Sequence, residues 1–229
     1  MRIKFIFSET DKTFTGNTNH IVKSWFNHDV LNDEPEYHNG NHAYALSDIM
    51  GKKFDEKGKF HFDGEPYVIF STNDDAMAGK VAERMFFTRP KLLGLNFVNV
   101  QFEDIKVHKG EGSYDILSFM KSPLLLREKK FGEKYINYTT AKDDNFIEKL
   151  TEQTRRKLSK LGVEGYDTIS FEVFHPEGAR VCRVDYKDRW NVASRVHLIV
   201  KGDPKAREVL YTVGVGNSTA TCFGIPEFI

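Results

Sequence analysis

KFHFDGEPYVIFSTNDDAMAGKVAERMF, residues 59–86, changes its hydrophobic period partway along. Up to Thr72 the pattern is that of strands, and Asp63-Gly64 reads as a turn between two of them. From Asn73 it changes: Asn73, Asp74 and Asp75 are helix-opening residues, and a helical pattern follows. RIKFIFS (2–8) lies upstream and alternates as a half-buried strand does. NTNHIVKSWFNHDVL (17–31) has polar residues at Asn17 to Asn19 and apolar pairs, Ile21/Val22 and Trp25/Phe26, at helical spacing. HAYALSDI (42–49) reads as a strand, and downstream KLLGLNFVNVQFEDIKVHK (91–109) returns to strand alternation. The order is strand, helix, strands, helix, strand: βαββαβ, the ferredoxin-like unit.

The second half repeats it in part. YDILSFM (114–120) and YINYTT (135–140) read as short strands. DDNFIEKLTEQTRRKLSKLG (143–162) is a helix with acidic residues first, basic residues last and Gly162 as its stop. YDTISFEVFHP (166–176), ARVCRVDY (179–186) and SRVHLIVKG (194–202) are strands, and DPKAREVLYTVG (203–214) is a helix opened by Asp203 and Pro204. The expected fold is α+β, two tandem ferredoxin-like halves packed together. Residues 1–110 form the N-terminal domain and 111–229 the C-terminal one.

Composition narrows the function classes. Hydrophobic residues at 40% and charged residues at 29% of 229 residues describe a soluble globular protein. No apolar run approaches the roughly 20 residues of a membrane helix, and the start reads as a first strand rather than a signal peptide. Cys182 and Cys222 form no CxxC pair, so free thiols in a cytoplasmic protein are expected. Net charge is zero, from 33 basic and 33 acidic residues. The distribution is uneven: residues 178–202 hold Arg180, Arg183, Lys187, Arg189, Arg195 and Lys201 against only Asp185 and Asp188. A neutral chain can still present a basic face.

Two motifs carry chemistry. TVGVGNSTATCFGIPEFI (212–229) is glycine-rich, but it lacks the Gly-Lys-[Ser/Thr] ending of a phosphate loop. It also follows a helix rather than a strand, which excludes the dinucleotide fingerprint. In EYHNGNHAYALS (36–47), His38 and His42 lie four apart. Asn39-Gly40-Asn41 breaks helices and no glutamate intervenes, so a helical zinc motif is excluded and no metal is expected. In an extended stretch the two imidazoles fall on one side and can meet one phosphodiester, one accepting a proton and one donating it. The competing reading is two exposed loop histidines.

These pieces resemble the CRISPR-associated endoribonucleases that cut precursor CRISPR RNA within its repeats, members of the repeat-associated RNA-binding superfamily. Three markers carry the resemblance along nearly the whole chain. The first is a His-containing loop running into an aromatic-Xaa-Xaa-Ser strand, here His38 and YALS (44–47). The second is the Ser-Pro-apolar segment, charged hairpin and helix of residues 122–158. The third is the glycine loop GVGNSTATCFG (214–224), with Cys222 in place of a glycine.

The resemblance implies metal-independent cleavage by the ribose 2′-OH, leaving a 2′,3′-cyclic phosphate and a 5′-OH, with no cofactor. His38 is implied as general base, His42 as proton donor or charge stabiliser, and Lys23 as a further charge stabiliser. A tyrosine that some members carry on the first helix is absent, and Tyr37 or Tyr44 are the substitutes at hand. RNA binding is expected from Lys129, Lys130, Arg180, Arg183, Lys187 and Arg189. In the loop, Gly214 and Gly216 would permit close backbone approach, with Asn217, Ser218 and Thr219 as phosphate or sugar donors. Repeat RNA is the expected partner; subunits of a CRISPR effector complex and a second copy of the chain are further ones. The alternatives are a catalytically silent RNA-binding subunit of such a complex and a metabolite-binding ferredoxin-like regulator.

Overall fold

A computed structural model describes residues 1–32, 43–110, 112–128, 136–186 and 189–229. The chain divides into two compact units, residues 1–104 with 220–222, and 105–219 with 223–229.

In the first unit the strands are β1 (Arg2–Phe7), β2 (Tyr44–Leu46), β3 (Met50–Phe54), β4 (Phe60–Thr72) and β5 (Phe97–Glu103). All neighbours are antiparallel in the order β2-β4-β1-β5, with β3 paired to β4. Helix α1 (Asn19–Trp25) follows β1, and α2 (Asp75–Thr88) follows β4. Asp74 caps α2, its carboxylate accepting from the Met77 N–H at 3.0 Å. Helix α1 runs into a π turn over Phe26–Val30, where Leu31 N–H donates to the Phe26 carbonyl at 2.8 Å. The extra residue in that turn keeps Trp25, Phe26, Val30 and Leu31 all on the buried side. They meet Phe5, Phe7 and Phe70 in an aromatic core, each buried ring contributing roughly 1.5–3 kcal/mol of transfer free energy.

The expected turn at Asp63-Gly64 is not one. Strand β4 runs unbroken through it, and Gly64, with φ of 77°, bends the strand where its register against β3 shifts. The reversal lies upstream, at residues 55–59. There the Asp55 carboxylate accepts from the N–H groups of Lys57 and Lys59, both at 2.9 Å, and Gly58 takes φ of 75°.

The second unit has a four-stranded antiparallel sheet in the order β13-β6-β12-β9: β13 (Glu227–Phe228), β6 (Tyr114–Ser118), β12 (His197–Lys201) and β9 (Ser170–Phe174). Helices α3 (Phe146–Lys160) and α4 (Pro204–Val213) complete a second βαββαβ order, β6-α3-β9-β12-α4-β13. Phe146, Leu150 and Leu158 of α3 join Leu198, Val200, Leu210 and Tyr211 in its core. Asp203 caps α4, accepting from the Lys205 and Ala206 N–H groups at 2.8 and 3.1 Å. Two ribbons are inserted, β7 (Arg127–Glu128) with β8 (Asn137–Tyr138), and β10 (Arg180–Tyr186) with β11 (Arg189–Arg195). The fold is α+β with two ferredoxin-like halves in tandem.

Candidate functional site

In the first unit, α1 and β2 bring Lys23 and Tyr44 together. The Lys23 ammonium donates to the Tyr44 hydroxyl at 2.5 Å and lies 5.1 Å from the ring centre. Tyr44 is fixed by pairing with Thr72 of β4 and by ring contacts with Phe26 and Phe70 at 5.6 and 5.8 Å. Burial of Lys23 disfavours its charge and lowers its pKa to about 8. A second lysine anchors the start of α1. Lys52 bonds both the Thr18 hydroxyl and the Asp48 carboxylate, and that carboxylate also accepts from Thr18 at 2.5 Å and from the Ile49 N–H at 2.8 Å. The helix carrying Lys23 is thus tied to the turn that follows β2.

Cys222 also belongs to this unit. Its φ is 69°, in the left-handed region a glycine would occupy without strain. The side chain is buried in the first core, and its thiol donates to the Asn19 carbonyl at 3.6 Å. The loop therefore keeps a glycine-like backbone at the position where the chain departs from the resemblance. Burial raises the Cys222 thiol pKa, which keeps it protonated.

In the second unit the glycine loop is bound tightly to its own chain. A Cβ on Gly216 would fall 2.5 Å from the Leu125 carbonyl oxygen, and one on Gly224 would fall 1.9 Å from that of Val215. Close approach at these glycines is used internally. Gly214, with φ 74° and ψ 166°, ends α4 in a conformation open only to glycine. Asn217 N–H donates to the Leu125 carbonyl at 2.8 Å, and its side-chain oxygen accepts from the Arg127 N–H at 2.7 Å. The Arg127 guanidinium donates to the Ser218 hydroxyl at 3.1 Å and to the Asn191 side-chain oxygen at 3.3 Å. Lys157 holds the loop from α3, donating to the Val213 carbonyl at 2.6 Å, the Gly214 carbonyl at 3.0 Å and the Thr219 hydroxyl at 3.3 Å. Burial lowers its pKa to about 7.

The candidate residues fall unevenly. His38, His42 and Tyr37 lie outside the described residues, as do Lys129, Lys130 and Lys187. Arg180 and Arg183 are both exposed on β10, but their odd separation sets them on opposite faces of the ribbon. Arg183 pairs with the Asp185 carboxylate at 2.9 Å, and Arg189 begins β11. Lys23 meets Tyr44, while Asn217, Ser218 and Thr219 bond to Arg127 and Lys157. Sequence reasoning missed those two cations. Arg127 follows the apolar run Leu124–Leu126, and Lys157 lies between Thr154 and Leu158 at helical spacing; that placement beside core positions is the signal that could have singled them out. Among the described residues, no helix is long and apolar enough to cross a membrane, and no group of three or more His, Cys, Asp or Glu is placed to hold a metal ion.

Comparison with known proteins puts a name to this arrangement. No curated protein sequence matches. Among solved structures, a Cas6-related protein from Pyrococcus furiosus superposes with a TM-score of 0.81 at 16% identity, covering 100% of this chain and 98% of that one. An RAMP protein described as binding different RNA substrates gives 0.80 at 20% identity, covering 100% of this chain and 99% of the other. A CRISPR associated protein Cas6 gives 0.80 at 16%, with the same coverage. At these identities the likeness is one of fold. The family model of the C-terminal part of CRISPR associated protein Cas6 matches residues 106–228, more than half of the sequence. The chain belongs to the Cas6 family of CRISPR-associated proteins.

Proposed function

We propose that the protein is a metal-independent endoribonuclease that cleaves CRISPR repeat RNA and so generates guide RNAs. His38 removes the proton from the ribose 2′-OH, the 2′ oxygen attacks the adjacent phosphorus, and the bond to the 5′ oxygen breaks. The departing oxygen takes a proton from His42 or Lys23, leaving a 2′,3′-cyclic phosphate and a 5′-OH. Lys23 also steadies the extra negative charge of the phosphorane. Family membership and an RNA-binding structural relative support RNA as the ligand.

The observation that carries catalysis over silent binding is Lys23, a half-buried lysine with its pKa lowered to about 8 and bonded to a tyrosine hydroxyl. Holding a lysine near neutrality against its solvated tendency fits proton transfer better than a phosphate clamp, which needs only an exposed charge. Tyr44 serves to position that ammonium. RNA is held by Arg180, Arg183 and Arg189 with Lys129, Lys130 and Lys187, while the loop residues Gly214 to Thr219 shape the surface beside Arg127. Association with CRISPR effector subunits and pairing with a second copy belong to the same reading. Repeat RNA incubated with the protein in EDTA is the test: cutting that continues, and stops with a 2′-deoxy nucleotide at the scissile position, supports it. Tight binding without cutting would make the protein a silent RNA-binding subunit.

A further inference from the structure

The β10–β11 ribbon carries an aromatic side chain that the fold does not bury. Of two tryptophans, Trp25 is 4% exposed and Trp190 is 53% exposed. Trp190 lies opposite Asp185 in the ribbon register, so Trp190, Asp185 and Arg183 share one face. The opposite face, with Cys182, Val184 and Ala193, packs on Leu125 and Phe223.

The exposed ring is nonetheless held in place. Tyr138 stacks on it with centroids 6.4 Å apart and planes at 19°, an offset arrangement that leaves much of the indole open. The Tyr138 hydroxyl donates to the Trp190 carbonyl at 3.3 Å and to the Asn191 side chain at 3.4 Å. Asn191 accepts in turn from Arg127, which holds Asn217 and Ser218. A continuous line of hydrogen bonds thus joins Tyr138, which stacks on the indole, to the glycine loop. The Arg183 guanidinium lies 5.6 Å from the Trp190 ring centre, and its pairing with Asp185 is solvent-exposed on both sides. Such a pair is worth little, so a phosphate can replace the carboxylate at small cost.

We infer that Trp190 is a stacking platform for an unpaired RNA base, with Arg183 engaging the adjoining phosphate. A fixed indole beside guanidinium groups is the combination that binds single-stranded nucleic acid: the ring offers a π face to any base, and the cations track the backbone. A protein partner would favour an apolar surround, whereas this indole is flanked by Arg183 and Asp185. The inference rests on the RNA-binding reading above.

The test is a fluorescence titration with an oligoadenylate of about ten nucleotides, alongside inorganic polyphosphate as a charge-only probe. With wild-type protein, the oligonucleotide quenches the exposed tryptophan and polyphosphate binds without quenching. Trp190→Ala weakens oligonucleotide binding about tenfold, and Trp190→Phe keeps most of it. RNA binding without quenching, and unchanged in Trp190→Ala, overturns this inference, leaves the RNA-binding reading intact and points to a protein contact at Trp190. Equal quenching by polyphosphate overturns it as well. No salt-sensitive RNA affinity at all overturns both readings. The wild-type titration decides the matter even where a variant folds poorly.

Discussion

The Lys23 ammonium lies 2.5 Å from the Tyr44 hydroxyl, though the two residues come from a short helix and a three-residue strand 21 positions apart. Burial sets the Lys23 pKa at about 8, so the ammonium predominates at pH 7 and is lost as pH rises through 8. Single-turnover cleavage is expected to fall over that interval. Lys23→Ala should slow cleavage about a hundredfold with RNA affinity little changed. Equal losses in affinity and rate would instead make Lys23 a binding residue.

Gly224 tests how the glycine loop is built. Its φ is 66° and an added methyl would meet the Val215 carbonyl oxygen at 1.9 Å, whereas Gly58, at φ 75°, has nothing within 4 Å. Gly58→Ala is expected to cost about 1 kcal/mol from backbone conformation alone. Gly224→Ala adds a collision with fixed backbone and should cost more than about 4 kcal/mol. Urea midpoints compared at constant slope would read the difference.

Cys222 combines a left-handed backbone with a buried side chain. Replacing it by glycine relieves about 1 kcal/mol of strain while emptying a small buried volume, so the net change in stability should stay within about 1 kcal/mol. Cys222→Val puts a β-branched residue in the same conformation and should destabilise by about 2–3 kcal/mol. Thermal melts of the two variants provide the comparison.

Lys157 links loop geometry to pH. Its ammonium has three N–H groups for three acceptors, and burial lowers its pKa from 10.5 to about 7. The unfolded chain keeps this proton up to near pH 10.5, so between about 7 and 10.5 the unfolded state binds more protons. This group therefore makes stability rise with pH across that window, and below pH 7 the folded state carries the full cost of the buried charge. The stability of wild type relative to Lys157→Met should climb from pH 7 toward 10. Near pH 10, where that cost has gone, the variant should be about 1–3 kcal/mol less stable, because the Val213 and Gly214 carbonyls lose their donor. A flat difference across the window would show the charge to be solvated.

Much of the architecture was legible because period and caps agree. Asp74 and Asp203 cap α2 and α4 as their positions before helical patterns suggest, and the alternation of residues 2–8 forms β1. The Asp63-Gly64 reading failed because the same dipeptide serves a bend within a strand, while the reversal used Asp55 and Gly58. The π turn after Trp25 was hidden because one extra residue per turn leaves the apolar pairs looking helical. In the candidate site, the Lys23–Tyr44 pairing depends on the crossing of α1 and β2, which spacing does not encode. Arg127 and Lys157 were missed because charged side chains read as solvated until their partners are in place.

The central claim is that repeat RNA is cut by its own 2′-OH with His38 as base. Its most direct test is the rate of repeat cleavage in excess EDTA, for wild type and His38→Ala, on substrates with and without a 2′-deoxy scissile nucleotide. The account predicts undiminished cutting by wild type, a 2′,3′-cyclic phosphate end, no cutting of the deoxy substrate and a large loss in His38→Ala. Cleavage of the deoxy substrate, or its abolition by EDTA on the all-ribose RNA, would contradict it.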